Sequence, residues 1–319
     1  MRAAVVRAFD TAPRYEEFEV PTPGRQGEEL VEVLAAGLHP RVRSQANGSH
    51  YTSTDELPLI PGIDGVGRRA DGSLVYFILP DTTFGSMAAK AVIDVRRSIP
   101  LPADTDPIRL AAAMNPAMSS WVALHKRVTF TPGQSVFVLG GTGSAGQLAI
   151  QIAKRLGASE VIAAGRGEAK LAALATLGAD ATIDLSADPD EVATQIGAKA
   201  ANVDVVLDYL WGAPAQSAIM PLLLGRDDRS RLISWVQIGS VAGSDITLPS
   251  AALRQANIQF LGSGQGSVSA RGILETLPSL VDEIGAGTFA IDAVARPLAD
   301  VEQIWTETLA ATQRVVLTP

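Results

Sequence analysis

The sequence predicts an α/β protein: a doubly wound parallel sheet accompanied by a separate β lobe. From about residue 131, short apolar runs alternate with helix-length stretches that close on glycine, the pattern of βαβ units. The first 115 residues instead carry short strand-like pieces among Pro- and Gly-rich turns. The length of 319 residues also exceeds one ordinary core of roughly 100–200 residues.

In the first part the strand-like pieces are AAVVRAF, EELVEVLAAG and SLVYFIL, set among PTPG and PLIPGIDGVG. They suggest an irregular, mostly antiparallel lobe. Then come SVFVLG (135–140), a helix from Ser144 to Leu156 closed by Gly157, EVIAAG (160–165), and a helix over 167–177 closed by Gly178. ATIDL, a helix over 189–200, VDVVLDYL, a helix over 213–224, RLISWVQIG and IQFLG continue the alternation. After Gly287 the chain reads as a strand, a helix with its apolar face at Val301, Ile304, Trp305 and Leu309, and a final strand RVVL that either domain can accommodate.

Composition narrows the function classes. Hydrophobic residues make up 47% and charged residues 19%, which fits a compact globular chain. A formal charge of −8 repels nucleic-acid phosphates and anionic membranes. The basic clusters are pairs without interleaved aromatics (Arg41/Arg43, Arg68/Arg69, Arg96/Arg97), so no nucleic-acid partner is expected. With no cysteine there is no disulfide, iron–sulfur cluster or thiolate zinc site, and zinc would have to rely on three histidines and carboxylates. MRAAVVRAFD is broken by Arg7 and reads as a strand, not a signal peptide. No run of about 18 apolar residues predicts a membrane span, and the cytoplasm is the expected location.

The chemistry is concentrated in one motif. Gly141, Thr142, Gly143, Ser144, Ala145 and Gly146 match G-x-G-x-x-G, follow an apolar strand and open a helix. Gly141 permits the tight turn, Gly143 lets the backbone approach a pyrophosphate, and Gly146 lets the helix pack on the strand. The helix N-terminus offers N–H groups and a positive dipole end to the phosphates. A Rossmann dinucleotide-binding domain is therefore expected. At the end of the second strand, where an acid would bind a ribose 2′-OH, stand Gly165 and Arg166. A small residue and a guanidinium favour a 2′-phosphate, and Lys170, one helical turn on, can add a second charge. The cofactor expected is NADP(H).

The whole chain resembles the medium-chain dehydrogenase/reductase superfamily, and within it the zinc-independent quinone oxidoreductase branch. The resemblance runs from MRAAVVRAF through PGIDGVG and FTPGQSVFVLGGTGSAGQLAIQIAKRLGA to RVVLTP. It implies a GroES-like catalytic lobe from residues 1–115 and 288–319, an NADP-binding Rossmann domain over 116–287, and a homodimer. It also implies hydride delivery to a quinone or an α,β-unsaturated carbonyl. Zinc-dependent relatives carry a cysteine where this chain has His39 and a His-Glu pair where it has Ile63 and Asp64, so no metal is expected. His39 is then either a polar pocket residue or a hydrogen-bonded turn residue.

The resemblance further names Tyr51, in NGSHYTS, as the proton donor to the reduced acceptor, with His50 or water as the other sources and a pocket-wall role as its non-catalytic alternative. Asn115 either faces substrate at the start of the helix linking the lobes or caps that helix. Asp208 with Tyr209, and Ile238 with Gly239, end strands at the sheet edge where ligands of doubly wound sheets lie. The turn Gly262 to Gly266, with Gly264 at its centre, either closes near the nicotinamide or is a flexible loop. Because fold does not fix function, an NADPH-binding redox sensor or structural protein with little turnover is the second hypothesis.

Overall fold

The structure, a computed structural model, describes residues 1–50, 53–307 and 313–319. Contacts divide the chain into two compact units, Met1–Asn115 with Leu277–Pro319, and Pro116–Thr276.

The first unit opens with strands β1 (Arg2–Val5), β2 (Arg14–Glu17) and β3 (Glu28–Gly37), followed by helix α1 (Pro40–Ala46). Strands β4 (Asp64–Arg68), β5 (Leu74–Ile78), β6 (Lys90–Asp94) and β7 (Ser98–Leu101) follow. The middle of β3 alternates: Val31 and Val33 are buried while Glu32 between them is exposed, the two-residue period of a strand with one face on a core. Pro40 opens α1, where a missing N–H costs nothing.

Helix α2 (Pro107–Val122) corrects the reading of Asn115. The cap is Asp106, whose Oδ1 accepts the N–H groups of Ile108 and Arg109 at 2.9 and 3.2 Å. Both Asp106 and Asn115 are followed by proline, but only the aspartate adds a charge that suits the positive end of a helix. Asn115 therefore lies inside the helix and caps nothing.

The second unit contains β8 (Val136–Leu139), α3 (Ser144–Arg155), β9 (Val161–Gly165), α4 (Glu168–Ala173), β10 (Ala181–Asp184), α5 (Pro189–Lys199), β11 (Val205–Asp208) and α6 (Gly212–Leu224). It ends with β12 (Ile233–Gln237), α7 (Ala252–Gln255), β13 (Ile258–Gly262) and α8 (Ala270–Leu274). The six strands are parallel in the order β10-β9-β8-β11-β12-β13. This is a doubly wound sheet whose order reverses beside β8. Strands β8, β9 and β11 are buried along their whole lengths, which is why they read as unbroken apolar runs. Phe137, Leu139, Ile162, Val206, Leu222 and Trp235 belong to its core.

The chain then returns to the first unit through α9 (Leu277–Gly285), β14 (Asp292–Pro297), α10 (Val301–Thr306) and β15 (Gln313–Thr318). Val301 and Ile304 of α10 are buried, whereas Leu309 lies outside the described residues. Strand β15 pairs antiparallel with β3, Val316 opposite Gly37 and Leu317 opposite Ala36. The sheet runs β14-β15-β3-β4-β5-β7, with β6 also on β3, and β14 and β15 are parallel to each other. The core beneath it joins Val31, Phe77, Met87, Ile93, Ile304 and Leu317. Among the described residues no helix is long and apolar enough to cross a membrane.

Candidate functional site

The glycine motif forms the turn between β8 and α3. The N–H groups of Gly140 and Gly141 both donate to Ala164 O, at 2.9 and 2.8 Å, which ties the turn to β9. A Cβ on Gly146 would overlap Gly140 O, and one on Gly141 would lie 2.9 Å from Ala163 Cβ. Those two glycines are therefore required by close packing. Gly143 differs: the nearest atom to a Cβ there is Gly140 O at 3.5 Å, so its outer side is open. It is the N-cap of α3 and carries no side chain to occupy the first turn, where Ser144, Ala145 and Gly146 begin the helix. An open backbone surface at the positive end of a helix fits a pyrophosphate. When bound, a nicotinamide dinucleotide supplies a hydride that no side chain of this protein can provide.

At the end of β9, Gly165 lies against Thr142, and the Arg166 N–H donates to Thr142 Oγ1 at 3.4 Å. Arg166 and Lys170 are exposed, and Lys170 runs its stem beside Gly167. The strand end and the phosphate turn are thus brought together with two cations beside them. Sequence reasoning missed Asp184, which lies opposite Gly165 in the β9–β10 register. Its carboxyl is held below its ordinary range, first by the Ser186 hydroxyl, then by the Ser186 amide, with the Arg166 charge adding to them. The D-x-S spacing in the sequence was the available signal, being that of an Asx turn.

The next strand ends meet as well. The N–H groups of Ile238 and Gly239 donate to Asp208 O at 2.8 and 3.1 Å. The Asp208 side chain is fully buried. Its Oδ1 accepts the N–H groups of Leu210 and Trp211 at 2.8 and 2.9 Å, and its Oδ2 accepts Trp235 Nε1–H at 3.0 Å. Burial pushes this carboxyl above its ordinary value against those three donors. Asp208 fastens the loop that carries Trp211 at φ 51°, a left-handed backbone unusual outside glycine. Tyr209 places its hydroxyl 3.1 Å from Ser119 Oγ, and burial raises it to about 12, so it remains a phenol.

The turn from Gly262 through Gly264 has an anchor that the sequence did not disclose. Arg127 donates from Nε to Gly262 O at 2.7 Å and from Nη1 to Ser267 O at 3.2 Å. Ser267 Oγ in turn accepts Gly264 N–H at 2.8 Å.

In the first unit, His39 is the N-cap residue of α1 and its ring meets Asp64: Nε2 lies 3.4 Å from Asp64 Oδ1. Tyr76 Oη donates to Asp64 Oδ2 at 2.6 Å. All three side chains are buried. Among the described residues no group of three His, Cys, Asp or Glu gathers as a metal-ligand set. His50 is half-buried, and burial, followed by the Arg41 charge, lowers its imidazole below the ordinary value against the pull of Asp81. Tyr51 lies outside the described residues.

Comparison with known proteins gives this geometry a lineage. The family model described as zinc-binding dehydrogenase matches residues 145–277. A protein of Emericella nidulans named "Probable NADPH-dependent quinone reductase tdiC" is 30% identical over an alignment covering 100% of both chains. An Arabidopsis thaliana protein named as a chloroplastic NADPH-dependent alkenal/one oxidoreductase is 28% identical over 50% of this chain and 45% of its own. The quinone oxidoreductase of Thermus thermophilus, solved also as its NADPH complex, superposes with a TM-score of 0.82 at 23% identity over 100% of each chain, a likeness of fold. The chain belongs to the medium-chain dehydrogenase/reductase superfamily, in its quinone oxidoreductase branch.

Proposed function

We propose that this protein is an NADPH-dependent oxidoreductase that delivers hydride to a quinone or an α,β-unsaturated carbonyl. The observation that carries the reading is the end of β9: Gly165 packed on Thr142 of the phosphate turn, followed by Arg166 instead of an acid. That arrangement suits a 2′-phosphate, and the full-length relative's name joins NADPH to a quinone. Gly141, Gly143 and the first turn of α3 hold the pyrophosphate, while Arg166 and Lys170 hold the 2′-phosphate. The backbone at Asp208, Ile238, Gly239, Gly262 and Gly264 lines the nicotinamide.

Within the reading, the second unit, which ends at Thr276 and not at residue 287, forms the cofactor domain, and the first unit, Met1–Asn115 with Leu277–Pro319, supplies the polar groups for the acceptor. Reduction proceeds without zinc. His39 is engaged with Asp64, and Asp64 also with Tyr76, and two such groups do not amount to the three protein ligands of a catalytic zinc site. The working protein is a cytoplasmic homodimer with a small-molecule substrate.

The test is oxidation of NADPH, with NADH as control and a chelator present, against an ortho-quinone, a para-quinone, an enone and an enoyl thioester. Turnover of one class with NADPH and not NADH is expected. Tight NADPH binding with every acceptor left intact would transfer the case to a redox sensor.

A further inference from the structure

The first unit contains a buried polar row running Tyr76, Asp64, His39. The side chains of His39 and Asp64 are 6% and 2% exposed, and Tyr76 is completely covered. Such a row adds little to stability over hydrocarbon of the same volume. Its members are nevertheless ordered by their hydrogen-bonding capacity. Burial, and then the charge of Asp64, push the Tyr76 hydroxyl well above its ordinary value, so it acts only as a donor to Oδ2. A carboxylate at Oδ1 selects Nε2 as a protonated ring nitrogen, the same division of labour as in an acid-imidazole pair of a hydrolase. The other ring nitrogen, Nδ1, has no hydrogen-bond partner among the described residues. A ring nitrogen with no partner in the protein, on a side chain that keeps 6% of its surface exposed, is open to a partner from outside.

We propose that Nδ1 of His39 is the point from which the proton leaves: His39 protonates the oxygen of the reduced quinone or enone, and Asp64 and Tyr76 are positioning residues that hold its ring. This rests on the reductase reading. Addition of hydride at one end of the acceptor leaves its electron pair on the carbonyl oxygen. The Nδ1–H bond then breaks and an O–H bond forms, giving a hydroquinone, or an enol that tautomerises in water. His39, the imidazolium before the transfer, is left neutral with its Nε2–H still directed at Asp64, and the one solvent proton (H⁺) that the overall reduction consumes returns to Nδ1 before the next turnover. Asp64 of β4 meets the ring directly, and the charges of Asp64 and of Arg41 of α1 act in opposite directions on the Tyr76 hydroxyl of β5.

The first readout needs no turnover. In cofactor-free protein labelled with ¹⁵N-histidine, the ring signals of His39 are assigned by their loss in His39→Gln. The neutral ring is expected to carry its proton on Nε2 and leave Nδ1 bare; a proton on Nδ1 with Nε2 bare overturns the proposal. In steady state, His39→Gln should lower kcat by about 100-fold, with KM for NADPH within about twofold of the wild type. Asp64→Asn should lower kcat by about 10- to 100-fold, again through kcat and not KM. Where either variant fails to fold, Tyr76→Phe and the wild-type ring spectrum decide: Tyr76→Phe is expected to shift the His39 ring signals, and an unmoved spectrum counts against the row. An active wild type with an indifferent His39→Gln refutes this assignment alone, whereas a wild type inert toward every acceptor refutes the reductase reading and this assignment with it.

Discussion

A side-chain carbon on Gly165 would stand 2.5 Å from both Oγ1 and Cγ2 of Thr142, so the end of β9 and the phosphate turn interlock through a missing methyl group. The short, branched Thr142 side chain cannot swing away as a lysine tip could. Gly165→Ala should therefore cost about 1–3 kcal/mol as overpacking, a fall in Tm of a few degrees. It should weaken NADPH binding as well, because Thr142 belongs to the turn proposed to meet the phosphates. Calorimetric unfolding and titration with NADPH measure both. Pairing the change with Thr142→Gly should recover much of the stability loss, since residues in contact are non-additive; unaltered Tm in Gly165→Ala would show that the turn relaxes freely.

On the proposed reading, Arg166 is the cation at this edge that decides between cofactors. Removing a charge-assisted, bidentate contact should weaken NADPH binding by about 1.5–3 kcal/mol and leave NADH unchanged in Arg166→Ala. Equal loss for both cofactors would sink the 2′-phosphate assignment. Asp184 supplies the converse test, since its carboxylate acts on Arg166 from the neighbouring strand end. Asp184→Asn should tighten NADPH binding at low salt, with the gain shrinking as ionic strength rises past the point where the Debye length is about 10 Å.

Asp208 gives a pH dependence with a definite sign. Desolvation raises its folded-state value above the ordinary carboxylate range, so the folded protein binds this proton more tightly than the unfolded chain does. The associated stability is present below the unfolded value of about 3.9 and is lost as pH rises through the raised folded value. Asp208→Asn should flatten that decline in urea unfolding carried out between pH 4 and 8. An amide can still accept the Leu210 and Trp211 N–H groups, but its NH₂ then faces Trp235 Nε1–H. The mismatch should cost about 1–3 kcal/mol at neutral pH. A wild-type slope retained by the variant would assign the pH dependence elsewhere.

The strands and helices of the second unit were legible because burial on both faces writes itself as apolar runs, and because Gly157 and Gly178 mark helix ends. The phosphate turn was legible for a similar reason: Gly146 is fixed by Gly140 and Gly141, which a Cβ would strike, so the requirement is local. Asp184, Arg127 and Tyr76 were not legible. Each acts on a partner from a different strand or loop, and only the register of the sheet brings Asp184 beside Gly165. Asn115 was misplaced because it, like the true cap Asp106, is followed by proline, so the two start signals look alike along the chain.

Arg127 anchors the turn at the end of β13 by its two ends, Gly262 O and Ser267 O. Between those ends the chain contains glycines at 262, 264 and 266 and so has little intrinsic preference for one conformation. The guanidinium supplies from outside the rigidity the loop lacks, because a planar fork presents its donors to two carbonyls in fixed geometry, which a lysine's freely rotating ammonium does not. Arg127→Lys should therefore behave much like Arg127→Ala. Both should speed amide hydrogen exchange at residues 263–267 and leave the exchange of β8, β9 and β11 unchanged. If this loop lines the nicotinamide, both should also raise KM for NADPH by a few-fold, about 1 kcal/mol for hydrogen bonds made by an exposed charge. Faster exchange with an unaltered KM would keep Arg127 as the anchor and remove Gly262 and Gly264 from the cofactor site; unaltered exchange would show that the loop holds its shape without it.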